Sequence, residues 1–292
     1  MKKHNKRKWK NRIKIGSFLA PSFLGVMIFY VIPFIVVIYY SFVDSPVTGN
    51  FVFLRNFLDV LGNRAFQMAA WNTFKFSIIA VPLAVIISLL MALLLDEKIP
   101  WASKFRSAYL SPMMVPVASV ILVFQVLFNY NGFVNGVLNW FDIDKIDWFK
   151  SDWAPLVVLL LFLWKNLGYN MILFLAALGT IPKETMEVAY LDSSSGWRLF
   201  FHIKIRYLSP TILFVTIMSL ISSFKVFREV YLLTGDYPYD SLYTLQHFMN
   251  NMFRQLDYQK LSAAAIVMAA VMAVIIGILY VVEKKFGEDM EE

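Results

Sequence analysis

Apolar residues run in long blocks along this chain, and polar and charged residues gather in the gaps between them. Blocks of about 18 or more apolar residues are long enough, as helices, to cross the ~30 Å hydrocarbon layer of a bilayer. Six are predicted: about Ile15 to Val43, Phe76 to Leu95, the stretch after Lys104 and Arg106 to about Phe128, Ala154 to about Gly179, Tyr207 to about Leu233, and Leu261 to Val282. The first would measure roughly 40 Å if helical throughout, so it is expected to tilt, project or kink, with Pro33 as the kink. Pro112 and Pro116, near the start of the third, predict a bent or partly unwound span. Irregular backbone inside a bilayer has to be buried in protein or line a cavity. Trp164-Lys165-Asn166 interrupts the fourth block, and Ser262-Ala263-Ala264-Ala265 opens the sixth with residues small enough for close helix packing. Between spans, FVFLRNFLDVL is apolar enough to lie along a membrane face, and SLYTLQHFMNNMFRQLDYQ is amphipathic.

Composition agrees with the pattern. Of 292 residues, 59% are hydrophobic and 16% charged, and the mean hydropathy is +0.61, outside the range of soluble domains. The fold class is therefore an all-α integral membrane protein of six transmembrane helices. The net charge of +7 sits mainly in short segments between spans, where it orients a membrane protein, so nucleic acid is not implied. Lys and Arg crowd the first 14 residues, residues 96–107, residues 179–206 and the C-terminal tail, all on one side of a six-span topology. By the positive-inside rule both termini and the segment 181–210 are cytoplasmic. The division is a basic tail 1–14, a membrane domain 15–282 and a charged tail 283–292, with an uncleaved first span. Absence of cysteine excludes disulfides and thiolate chemistry.

The segment Ile181 to Pro210, IPKETMEVAYLDSSSGWRLFFHIKIRYLSP, is the one sizeable polar stretch on that basic side. A helix is expected from Glu184 to about Asp192, with Pro182 where a helix can start and Glu184 and Glu187 at its positive end. Ser193, Ser194, Ser195 and Gly196 break it. A second short helix then alternates Trp197, Leu199, Phe200, Phe201 and Ile203 with Arg198, His202, Lys204 and Arg206, as a helix lying at the membrane surface would.

The order IPKE, E-V-A, Asp192, a small residue, nine residues, then Ile203 and Ser209-Pro210 resembles the EAA segment of membrane subunits of binding-protein-dependent ABC sugar importers of the maltose-importer type. WKNLGYNMILFLAALGTIP before it, and SPTILF, FKVFREVYLLTG and LSAAAIV after it, extend the similarity. Val188, Ser193 and Arg206 stand where the family usually has Ala, Gly and Pro. The resemblance implies a type I ABC importer permease fold with a cytoplasmic coupling helix, in a bacterial inner or plasma membrane. It also implies a second homologous permease, two ATPase subunits and an external solute-binding protein as partners, and carbohydrate as substrate. Glu187, Ala189, Asp192, Ser193 and Gly196 become the coupling residues, Glu187 pairing with a basic side chain in a cleft of the ATPase. No GxxxxGK[ST] run is present, so ATP and magnesium belong to those other subunits and this chain is not an enzyme.

A charge at mid-membrane costs about 3 kcal/mol or more, which draws attention to Lys165, Lys225 and Arg228 and to Glu229, the sole carboxylate within a span. With Asn166 they are the candidate substrate path. The bland account is a Lys225–Glu229 ion pair at i,i+4 and, for all three cations, snorkelling or a salt bridge to carboxylates of the partner permease. The sharper one is that surplus positive charge meets an acidic saccharide. Two other classes compete: an ion-coupled secondary transporter, which commonly carries paired repeats or a mid-membrane carboxylate, and a membrane-embedded glycosyl transferase, for which the acidic loop Asp142 to Asp152 is the one candidate site. That loop reads more simply as a solvated outer face, and His4, His202 and His247 are too scattered for a metal site.

Overall fold

A computed structural model of the chain describes residues 2–96, 102–182, 184–187 and 196–288. These are almost entirely helical, with one isolated antiparallel bridge, between Val43 and Phe51. Five helices are long and apolar enough to cross a membrane: Lys14–Ser41, Arg64–Asp96, Ala154–Leu178, Ile205–Thr234 and Tyr258–Lys285. The pair Lys104–Met114 and Val117–Leu127 is apolar enough to cross as well but is bent by 98°, so the described residues hold five spans, or six with this pair counted as one broken span. The break falls at the second of the two prolines that predicted it: Pro116 takes the extended conformation, with ψ 131°.

The chain forms two compact units, residues 1–63 with 252–269, and residues 64–251 with 270–292. In the first, one long helix runs through Lys2–Val26, a widened π-helical turn at Met27–Val31, and Ile32–Ser41. The predicted irregularity is thus just ahead of Pro33, where the proline ring would otherwise press on the carbonyl of Phe29. The FVFLRNFLDVL stretch forms the short helix Arg55–Leu61. Asn56 anchors it by donating to the carbonyls of Ser41 at 3.0 Å and Val43 at 2.8 Å.

The second unit is built on the Arg64–Asp96 and Ala154–Leu178 helices, its most extensive pairing, with Ile205–Phe224 against both. Ala80, Ala84, Ser88 and Ala92 recur every fourth residue, each fully buried, and bring backbones close. Ala80 and Ala84 pack on Phe162, whose ring meets the edge of Phe76 at 5.6 Å. Close approach reaches its limit at Gly168, where a Cβ would stand 1.7 Å from the carbonyl oxygen of Tyr109. Serine and asparagine pairs bond between spans: Ser77 to Ser223 at 2.8 Å, and Asn170 to Ser219 at 3.0 Å.

Three boundaries differ from the apolar pattern. The Arg64–Asp96 helix begins about three turns before Phe76. Those turns carry polar residues that the 235–251 segment satisfies: Asn72 donates to the carbonyls of Asp240 and Tyr243, and Thr73 accepts the Leu245 amide. The expected surface helix after Gly196 is no separate element. Gly196–Leu199, a π-helical turn at Phe200–Lys204 and Ile205–Phe224 follow one another without a break. Every backbone at this junction stays helical, and no residue there stops the helix. The fifth span, expected to run unbroken to about Leu233, reaches Thr234 as one span but is interrupted at Lys225 and Val226, between Ile205–Phe224 and Phe227–Thr234.

Candidate functional site

The break at Lys225 creates the site. Ser223 turns its hydroxyl back on the Leu220 carbonyl at 2.8 Å, a bond that bends helices. The amide of Lys225 is shared between the carbonyls of Ile221 and Ser222 at 3.3 and 3.1 Å, tightening the last turn, and Lys225 closes the helix with ψ 6°. The chain rewinds at Phe227 with Glu229 in the new first turn, where the amide ends favour a carboxylate. Facing this break is the middle of the Ala154–Leu178 helix; Lys165 lies about 16 Å along a helix of roughly 37 Å.

Between them is a cavity of about 340 Å³ lined by Phe162, Lys165, Asn166, Ser222, Lys225, Val226, Arg228 and Glu229. All five residues selected as a substrate path line it. Their pairing differs from the i,i+4 account. Glu229, 5% exposed, receives the Lys165 ammonium at 2.5 Å and, on the same oxygen, the Arg228 guanidinium at 3.3 Å. Lys225 sits at the interruption of the helix, and no ion pair joins it to Glu229 or to any other described residue. Three cations and one carboxylate therefore line the cavity, two of the cations touch the carboxylate, and Lys225 and Arg228 are the exposed ones. Asn166 gives its amide hydrogen to the Phe162 carbonyl at 2.7 Å, which fixes the side chain and leaves its carbonyl oxygen as an acceptor. Phe162 and Ser222 escaped the sequence reading. Phe162 looks like ordinary span composition, and Ser222-Ser223 directly before a lysine was the available signal.

At the Asp96 end of the Arg64–Asp96 helix a smaller cavity, about 210 Å³, is lined by Asp96, Leu178, Ile181, Met186, Glu187 and Lys204. Lys204 reaches Asp96 at 3.6 Å, a pair the sequence reading missed. Residues 184–187 are helical, as expected, and Glu187 is exposed. Gly196 is exposed at the start of the continuous helix. Ala189, Asp192 and Ser193 lie outside the described residues. Asp142, Asp144, Asp147 and Asp152 are all exposed. Among the described residues no three His, Cys, Asp or Glu gather in a way that would hold a metal ion.

Comparison with known proteins gives this arrangement a lineage. Residues 76–288 match the family described as binding-protein-dependent transport system inner membrane component. The chain is 30% identical over 276 residues, 90% of each chain, to the sulfoquinovosyl glycerol transport system permease protein SmoG of Agrobacterium fabrum. It is 31% identical over 229 residues, 77% of this chain and 71% of the other, to the arabinooligosaccharides transport system permease protein AraP of Halalkalibacterium halodurans. Its fold superposes with a TM-score of 0.83, at 20% identity, on a chain of a bacterial ABC transporter involved in the import of the acidic polysaccharide alginate, covering 96% of this chain and 99% of that one. These matches set aside the secondary-transporter and glycosyl transferase alternatives. The chain belongs to the family of binding-protein-dependent transport system inner membrane components: it is a membrane-spanning permease subunit, and not itself an enzyme.

Proposed function

We propose that this chain is one permease subunit of an ATP-driven importer that passes carbohydrate from an external binding protein into the cytoplasm. The observation that carries the reading is the family match over residues 76–288, together with relatives named for sulfoquinovosyl glycerol and arabinooligosaccharide transport. A second, homologous permease would complete the path, and two ATPase subunits would supply the drive. Both termini and residues 181–210 face the cytoplasm in this reading, on the charge asymmetry of the segments between spans.

The mechanism is alternating access, in which closure of the ATPase pair favours one of two arrangements of the spans. The segment around Glu187 receives that motion. The ion pair of Lys204 with Asp96 ties the start of the Gly196–Phe224 run to the end of the Arg64–Asp96 helix, so the two move as neighbours. In the cavity at Lys225 the open carbonyl of Asn166 and the hydroxyl of Ser222 offer hydrogen bonds to sugar hydroxyls, and Phe162 offers an apolar ring.

The test is the assembled complex with Glu187→Lys. Reversing this charge is expected to lower the yield of the complex or to separate ATP hydrolysis from sugar uptake, each by roughly tenfold if a charge-assisted contact is lost. Unchanged yield with unchanged uptake-linked hydrolysis would remove Glu187 from the coupling surface.

A further inference from the structure

We infer that the cavity at the break in the fifth span selects an acidic saccharide, with Lys225 and Arg228 as the residues that meet its carboxylate. The inference rests on the carbohydrate-importer reading and adds the charge of the substrate and the groups that read it.

Charge accounting inside the cavity carries the argument. Lys165 and Glu229 neutralise each other at 2.5 Å, and Glu229 is buried, so this pair is a fixed part of the wall. Arg228 touches the same carboxylate oxygen at 3.3 Å, but its side chain remains 62% exposed, so most of its five-donor fork is uncommitted. Lys225 has no carboxylate partner among the described residues and is exposed. The wall thus carries two cations beyond what its one carboxylate neutralises. Held among apolar spans, such charge is costly unless an anion visits or a watery path reaches it.

A carboxylate suits the geometry. A guanidinium presents parallel donors to two carboxylate oxygens, and a neighbouring ammonium adds a point charge without directional demand. The neutral groups of the same wall, the carbonyl of Asn166 and the hydroxyl of Ser222, serve hydroxyls. A cavity with both sets fits a uronate-type sugar better than a neutral sugar or a simple inorganic anion. Glu229 acts as a positioning residue: by holding Lys165 it leaves the two exposed cations as the ones that read the substrate.

The experiment uses the complete importer, with partner permease, ATPase and binding protein, in proteoliposomes. Uptake of a uronate-containing oligosaccharide is compared with that of its methyl ester in wild type, in Lys225→Gln/Arg228→Gln, and in the charge-preserving Lys225→Arg/Arg228→Lys. Losing charge-assisted bonds is expected to reduce acid uptake, mainly through KM, by roughly tenfold to a hundredfold more than ester uptake. The charge-preserving variant is expected to keep a clear part of the acid preference, losing at least about threefold less than the Gln pair, because both cations remain although the two-donor fork moves from position 228 to 225. Equal loss for both sugars, no loss for either, or equal loss in the Gln and charge-preserving variants would overturn the inference and make the charges structural, leaving the carbohydrate reading intact. Failure of the wild-type complex to take up any saccharide would overturn the carbohydrate reading, and this inference with it.

Discussion

His247 has no exposed surface, and its ring contacts Phe227 edge-on at 4.6 Å and the hydroxyl of Thr244 at 2.9 Å. Its Nε2 atom is buried without a hydrogen-bond partner. Burial holds its pKa down, from 6.5 to about 4, against a smaller opposing pull from Asp236. A histidine depressed in the folded state binds its proton more readily when unfolded, so its contribution is full above pH 6.5 and drains away as pH falls towards 4. The loss amounts to about 3 kcal/mol over that window. Thermal unfolding in detergent from pH 8 to 4 should show it, and His247→Gln should flatten the profile. A profile unchanged by the substitution would mean that His247 is hydrated or already paired. Individual charges in the spans were legible as functional candidates, because an ammonium deep in an apolar run has few other reasons to be there. Their partners were not. Glu229 lies four residues from Lys225 and 64 from Lys165, and the spacing rule chose the near one; the helix is interrupted at Lys225 and Val226, and the carboxylate pairs across to the other span.

Among the elements, the Ala154–Leu178 helix is limited by Gly168. Intrinsic propensity alone says that alanine there would stabilise the helix by about 1 kcal/mol. Contact says the reverse, since the new methyl would stand 1.7 Å from a main-chain oxygen of the neighbouring helix, and overpacking of this kind costs about 1–3 kcal/mol. Backbone cannot swing aside as a side-chain tip can, so contact wins. Gly168→Ala should lower the unfolding temperature and the yield of complex, whereas Gly277→Ala, with nothing within 4 Å, should be neutral or stabilising. Similar effects at the two sites would show that the two helices are less closely apposed. Spans and prolines were readable at this scale because hydropathy and a missing amide act locally. The early start of the Arg64–Asp96 helix was not, because Asn72 and Thr73 are polar and their partners lie about 170 residues away. Nor was the continuity from Gly196 to Phe224, since alternating apolar and basic residues suit a surface helix and the start of a span equally.

For the whole molecule, the Lys14–Ser41 and Tyr258–Lys285 helices bury none of their most apolar windows within the chain. Helices this open offer apolar surface to lipid and, in the complex proposed above, to a second permease. Reconstituted alone, the chain should give no ATP-dependent uptake, and uptake should appear only when the other subunits are added. Uptake by the lone chain would contradict the family's division of labour. The run from Gly196 to Phe224, closed at one end by the Lys225 break, spans roughly 43 Å. It resembles a stiff rod pinned at a joint. Tilting such a rod by about 10° carries its Gly196 tip through about 7 Å, while the residues beside the joint hardly translate and instead reorient. A push at the far tip would therefore reach Lys225 and Arg228 as a change of aim, able to turn donors away from a bound carboxylate without any widening of the gap between the helices.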